Sequence, residues 1–199
     1  YSLNEVSFWS GGRNAGTINN KGDKGYDVSG PEVNDNGFGS YQPVGDLIVD
    51  FNAPVQSGFV RQISLDKGIV ESSAKRNGNF ISSSAFCSYP NQVMVIRYES
   101  QKRKKLDLHF SFATQRKQDI TTTHNRELSL YSSLKNGMEC QTLVKVAHEG
   151  GQLTSDKNGL HLKDADNCTL LIYMATNYEM NAENGFRGIS AKERLEQQT

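Results

Sequence analysis

From Val44 onward, apolar and polar residues alternate in short runs, each closed by glycine, proline, asparagine or aspartate. Such alternation sends successive side chains to opposite faces of a strand, so that one face can be set against a core. The run 44–51 aligns Leu47, Val49 and Phe51. The run 58–66 aligns Phe59, Arg61, Ile63 and Leu65, and 105–113 aligns Leu106, Leu108, Phe110 and Phe112. Asp66–Lys67–Gly68 forms a tight turn into 69–76, and Asn77–Gly78 is the strongest hairpin signal in the chain. Residues 79–90 return and end at Pro90. Residues 92–100 are nearly continuous in apolar side chains, as expected of a strand buried on both sides. Further runs at 127–134, 139–149, 159–163 and 168–178 follow. About ten strands at this spacing, with hardly any helical periodicity, predict an all-β fold: a large antiparallel β-sandwich.

Two segments depart from the pattern. Residues 13–40 are rich in Gly, Asn and Asp and show no periodicity, the mark of a functional or poorly ordered loop. Residues 190–199 place Ser190 three positions before Glu193, a capping box followed by good helix formers. A short C-terminal helix is therefore expected, either a linker leading out of a domain spanning 1–189 or a frayed terminal turn.

Charge and composition exclude several partners. Lys plus Arg and Asp plus Glu both number 22, so the 199-residue chain carries no net charge, and its pI is near 7.1. Nucleic acid or an anionic membrane as the main partner demands a basic surface, and neither is expected. Lys102–Arg103–Lys104–Lys105 reads as a solvated hairpin loop between two strands. No stretch approaches the roughly 20 apolar residues that span a bilayer.

Catalytic patterns are equally sparse. Cys87, Cys140 and Cys168 have no metal-ligand spacing and read as free buried thiols on strands, with one disulfide possible in an exported protein. Asn167–Cys168–Thr169 fits a glycosylation sequon, a short and weak pattern. The histidines (109, 124, 148, 161) have no ligand or nucleophile partner at a recognisable spacing, and His109 reads as a surface residue. No nucleotide-binding, nucleophile-elbow or zincin motif occurs. Glu5, Asp46, Asp50 and Asp66 are carboxylates of the type used in glycoside hydrolysis, but sequence does not place any two across a cleft. No catalytic residue, metal or cofactor is assigned.

The single tryptophan, Trp9, follows a short alternating run and precedes Ser10, Gly11 and Gly12. It is either a buried anchor at a strand end or an aromatic platform on a loop.

Several stretches in order carry a family resemblance: "LNE" (3–5) with "FWSGG" (8–12), "YQPVGDLIVDF" (41–51), "FVRQISLDKGIV" (59–70) and "FCSYPNQVMVIRY" (86–98). The stretch 150–178, with Ala165–Asp166, an apolar run and Thr176–x–Tyr178, closes the series. Together they resemble the N-terminal β-sandwich domain of glycoside hydrolase family 95, mainly α-L-fucosidases. The stretch between Trp9 and Tyr41 is shorter than usual in that family, Ser83–Ser84 replaces a frequent Arg–Glu, and the strand before Leu3 is missing. The resemblance implies a supersandwich-like domain and a linker helix leading to an (α/α)6 barrel. That barrel supplies a glutamic general acid and asparagine-assisted water activation with inversion, so these 199 residues alone are expected to be inactive.

It also implies that Trp9, Ser10, Gly11, Tyr41 and Gln42 lie at the domain interface or the substrate rim. The expected partner is the downstream catalytic domain of the same polypeptide, with an oligosaccharide possible, in a periplasmic or secreted setting. A second reading is an independent carbohydrate-binding module that uses Trp9, Tyr26, Phe38 and Tyr41. A third is a structural or adhesive sandwich without a ligand.

Overall fold

The computed structural model describes residues 1–10, 41–124 and 126–199. In chain order its strands are β1 (Ser2–Leu3), β2 (Gly45–Asp50), β3 (Ser57–Ser64), β4 (Ile69–Arg76), β5 (Asn79–Ser88) and β6 (Val93–Ser100). There follow β7 (Leu106–Ala113), β8 (Ile120–His124), β9 (Glu127–Ser133), β10 (Glu139–Asp156) and β11 (Gly159–Thr176), and the chain ends in helix α1 (Ala191–Glu196). Every strand pairing is antiparallel.

The 18-residue strands β10 and β11 pair along their whole length and organise the rest. On the free edge of β11, Leu160–Ala165 pairs β7 while Asn167–Ile172 pairs β6. The sheet therefore continues in two directions. One layer runs β3-β4-β5-β6-β11-β10-β9-β8, and the other runs β1-β2-β7 onto the opposite halves of β11 and β10. The inner faces close on a single core that includes Leu47, Ile96, Tyr98, Leu108, Phe110, Leu130, Val144 and Ile172. The fold is the all-β sandwich that the alternation predicts, built as one sheet folded on itself.

The fold line crosses β10 at Gly150–Gly151 and β11 at Asp164. All three adopt positive φ, and the β10–β11 register shifts beside them. Gly151 is obligatory: a Cβ there would overlap the Lys163 carbonyl oxygen and come within 2.7 Å of the Ala165 nitrogen. Asp166 braces the bend by accepting the Lys104 backbone N–H at 2.7 Å and pairing with Arg103 at 3.4 Å. Asp166 and its neighbour Ala165, fully buried, thus owe their place in the chain to the fold.

Helix α1 is fully capped: Ser190 Oγ accepts from the Glu193 N–H, and the Glu193 carboxylate accepts from the Ser190 N–H. Ala191 and Leu195 are buried, and the helix packs on β10 and β11. It is a docked turn of helix and not a frayed end.

Other expectations need correction. Residues 92–100 are covered on one face only: Ile96 and Tyr98 are buried, whereas Val95 and Arg97 are half-exposed. Phe59, Arg61 and Ile63 do share a face of β3, but no described element covers it, with Phe59 at 63% and Ile63 at 62% exposure, and Leu65 lies in the turn beyond the strand. Residues 102–105 are no hairpin loop, because β6 and β7 do not pair each other; they cross the β11 bend. The runs 159–163 and 168–178 are one strand, and β8, a threonine-rich strand, has no counterpart among the expected runs. His109 is half-buried, stacked on His161 at 4.3 Å between ring centroids. Cys87 is exposed, and all three cysteines are free.

Gly151→Ala is expected to destabilise the fold by about 2–3 kcal/mol, from strain at a left-handed position plus backbone overlap, lowering Tm by about 5–10 °C. Gly68→Ala isolates the overlap, since Gly68 has nearly the same φ, 65° against 66°, but a Cβ there meets nothing within 4 Å, so it should cost only the strain share. A thermal melt that moves equally for both variants would refute the bend as the tight point.

Candidate functional site

The segment before Ser10 turns tightly on itself: Phe8 N–H donates to Glu5 O at 3.1 Å and Trp9 N–H donates to Ser7 O at 3.1 Å. Phe8 goes fully inside, so the next side chain, Trp9, points out and is 47% exposed. It is neither a core anchor nor fully free. Its backbone bridges Tyr41, and the two rings meet edge to face at 5.7 Å and 69°. The indole N–H donates to Val6 O at 2.9 Å, which satisfies the polar edge of the ring and fixes its plane. Tyr41 is 40% exposed, and partial burial together with the nearby Glu5 carboxylate raises its phenol pKa.

Ser10 and Gln42 are buried beneath these rings. Gln42 N–H donates to Phe8 O at 2.9 Å, and Gln42 Nε2 donates to Ser10 Oγ at 3.4 Å. Of the five residues singled out from sequence, four therefore converge, two as surface and two as support. Gly11 lies outside the described residues, as do Tyr26 and Phe38.

The support for this rim is a buried ion pair that no sequence pattern announces. Arg116 and Asp119 are joined at 3.2 Å, with side chains 2% and 0% exposed. The guanidinium donates to Pro43 O at 2.7 Å and Val44 O at 2.6 Å, and it lies 5.3 Å from the Phe8 ring centroid. Asp119 also accepts from the Thr114 hydroxyl. One arginine thus fixes both strands of the rim, the Phe8 turn and the Tyr41–Val44 segment. The residues that carry it sit in the polar stretch 114–119, whose composition reads as loop.

Hydrogen bonds extend the rim toward α1. Asn136 Nδ2 donates to Trp9 O at 2.9 Å, and Arg187 Nη2 donates to Asn136 O at 2.9 Å. Arg187 bridges Tyr178, whose ring stacks on Phe186, a residue 40% exposed. Thr176 and Tyr178, the closing motif, are engaged here too: Thr176 Oγ1 is 2.5 Å from Ser7 Oγ and accepts from the Tyr178 N–H.

The arrangement offers an aromatic surface on a hydrogen-bonded base, and three of the carboxylates singled out from sequence are tied to local partners. Glu5 is committed to the Ser7 N–H and hydroxyl at 2.8 and 2.6 Å, Asp50 to the Asn52 N–H, and Asp66 to the Ser64 hydroxyl. Among the described residues no three His, Cys, Asp or Glu side chains are grouped to hold a metal ion. Nor is any described helix long and apolar enough to cross a membrane.

Comparison with known proteins agrees with the resemblance at the level of domain type. Residues 24–181 match the family described as "Glycosyl hydrolase family 65, N-terminal domain". The chain is also similar to "Probable alpha-fucosidase A" of Aspergillus niger (strain ATCC MYA-4892 / CBS 513.88 / FGSC A1513), with 26% identity over 164 residues. That similarity covers 78% of this chain and 21% of the relative, so the chain spans about a fifth of the relative's length. The family named is 65, where the sequence motifs resemble family 95; both describe the N-terminal domain of a glycoside hydrolase.

Arg116→Met, which leaves Asp119 buried without its cation, is expected to cost about 3–5 kcal/mol in urea unfolding. The double variant Arg116→Met/Asp119→Leu should recover much of that loss; a double variant as unstable as the single would show that the pair is not what Arg116 contributes.

Burial pushes the Cys168 thiol up to about 12 and Cys140 higher still, with Glu5 adding to the latter. At alkaline pH the native state thus keeps protons that the unfolded chain releases. Stability is expected to hold below about pH 9 and to fall as pH rises toward 12. Ellman's reagent should react promptly with one thiol in the native chain, lost in Cys87→Ser, and with the other two only on unfolding. Three fast thiols would contradict the burial.

Proposed function

Because the chain belongs to the glycosyl hydrolase family 65 N-terminal domain family, we propose that it is the non-catalytic β-sandwich domain of an α-L-fucosidase-like hydrolase of family 95 type. In this reading residues 1–189 form the sandwich, and 190–199 begin the linker to a downstream (α/α)6 barrel that carries out the inverting hydrolysis of fucosyl or related bonds. The setting is periplasmic or secreted. The Trp9–Tyr41 rim is the surface that meets the barrel or shapes the mouth of its active site.

The observation that carries this reading is the continuity of the rim with the segment that ends in α1. Trp9, Asn136, Arg187 and Phe186 are linked by hydrogen bonds or chain adjacency, so exposed aromatic surface flanks the docked helix. Exposed apolar patches of this kind mark interaction sites. The likeness to a fungal alpha-fucosidase, of which the matched part is a fifth, supports the same arrangement. The half-exposed Trp9 and Tyr41 rings also suit a sugar face, which favours the carbohydrate-binding module as the second reading.

The test compares fucose release from a fucosylated oligosaccharide by this chain and by a polypeptide that continues into the barrel. Activity is expected in the longer protein alone. Trp9→Ala should lower the Tm of the longer protein by a few degrees, while the isolated chain, whose Trp9 lies at the surface, changes by about 1 kcal/mol or less. Saccharide affinity in the isolated chain that Trp9→Ala abolishes would favour the binding module. A longer protein without hydrolase activity would overturn the reading.

A further inference from the structure

The inner face of the larger layer carries two hydroxyls where its pattern calls for apolar side chains. On β4 that face presents Val70, Ser72 and Ala74, and on β5 Ile81, Ser83 and Ala85. Ser72 and Ser83 stand opposite each other in register with their oxygens 2.8 Å apart, and each is half-buried. The next residue along this ladder is Tyr98, 2% exposed. Each hydroxyl has one donor and two acceptor positions, so the pair satisfies one of its protons and keeps further hydrogen-bonding capacity. A polar group on a core-side face is the informative exception.

The hydroxyls open into a groove of about 330 Å³ between the two layers, at the low end of the range for ligand clefts. One wall is Phe51, which meets Tyr98 edge to face at 5.5 Å and carries the Arg76 guanidinium 4.2 Å above its ring. The other is Phe59 on β3, 63% exposed and lining the same groove. The groove lies where residues of β2 face β4 and β5: Ala74 and Ile81 are buried there, while Ser72 and Ser83 stay half-buried and Phe59 exposed. Among the described residues of its lining, Arg76 is the one charged side chain. Its Nη1 already donates to the Ala53 carbonyl, so its charge is partly engaged.

We propose that this groove is a binding site for a neutral saccharide of one or two pyranose rings. The apolar C–H face of a sugar packs on the exposed Phe59 ring, and its hydroxyls exchange hydrogen bonds with the Ser72–Ser83 pair and the remaining N–H groups of Arg76. Among the described residues that line the groove none is a carboxylate, and the proposed role is binding. The site is separate from the Trp9–Tyr41 rim and does not depend on the hydrolase reading.

Titration of the isotopically labelled 199-residue chain with L-fucose, D-galactose and lactose, followed by amide chemical shifts, tests this. The expected result is fast-exchange shifts centred on Phe59, Ser72 and Ser83 for at least one sugar, with a Kd of about 1 mM. Phe59→Ala removes a surface ring and should weaken binding about tenfold. Ser72→Ala/Ser83→Ala removes both partners of one hydrogen bond, a change close to neutral for stability, and should weaken it likewise. Trp9→Ala should leave it unchanged. Shifts that centre on Trp9 and vanish in Trp9→Ala would overturn the groove and favour the rim as the sugar site. Absence of any shift, or concentration-dependent self-association through Phe59 without sugar binding, would overturn the proposal as well.

Discussion

An eleven-stranded antiparallel sheet cannot stay open and also bury its apolar face, and the bend in β10 and β11 resolves that conflict. The same two strands serve both layers, their halves paired to β9 and β6 on one side of the fold line and to β7 on the other. A register slip in either half would move its side chains to the wrong face and would propagate across the bend into the other layer. Gly150, Gly151 and Asp164 permit the turn, and Asp166 holds the 102–105 crossing against it. The chain reads as strands separated by polar gaps, yet two of those gaps, near 150 and 164–166, are where the strands fold over.

Closure of the second layer raises a different problem, because the Phe8 turn and the Tyr41–Val44 segment bring backbone carbonyls inside. Arg116 answers it with a planar fork that reaches Pro43 O and Val44 O while Asp119 balances its charge. The net energy of such a pair is modest against an apolar replacement, but breaking one half leaves an uncompensated charge. Its consequence for function is geometric. Trp9 and Tyr41 are surface rings that bridge each other next to Phe8 and Pro43, which the buried Arg116 contacts, and whatever order this imposes before contact lowers the entropy lost on binding.

Alternation in the sequence reports which residues share a face and is silent on whether anything covers that face. The runs at 44–51 and 105–113, the Asn77–Gly78 turn and the Ser190–Glu193 cap were all legible, because each is decided within a few residues. Phe59, Ile63 and Cys87 were not. All three lie on the same inner face as the buried Ala74, Ile81 and Ala85, and whether a position on that face is covered is decided by tertiary contacts. The Arg116–Asp119 pair was illegible for the same reason, since its acceptors lie over 70 positions away in the chain. Trp9 and Gln42 stand out in the sequence by their motif, but the division of labour between exposed ring and buried amide is set by tertiary pairing.

An uncovered apolar edge is ordinarily an aggregation hazard. Here β3 is blunted by means visible in the structure. The register with β4 slips between Ser57 and Val60, where Gly58 takes a positive φ, so the edge carries a bulge that twists it away from flat pairing. Arg61 puts a charge at the centre of the exposed row, and Asp66 and Lys67 close its end. These devices discourage a second strand from adding to the edge while leaving the face beside Phe59 open. A face guarded at its edge yet uncovered on its surface, with a hydroxyl pair set into its apolar floor, is shaped to admit a small polar ligand more readily than another sheet.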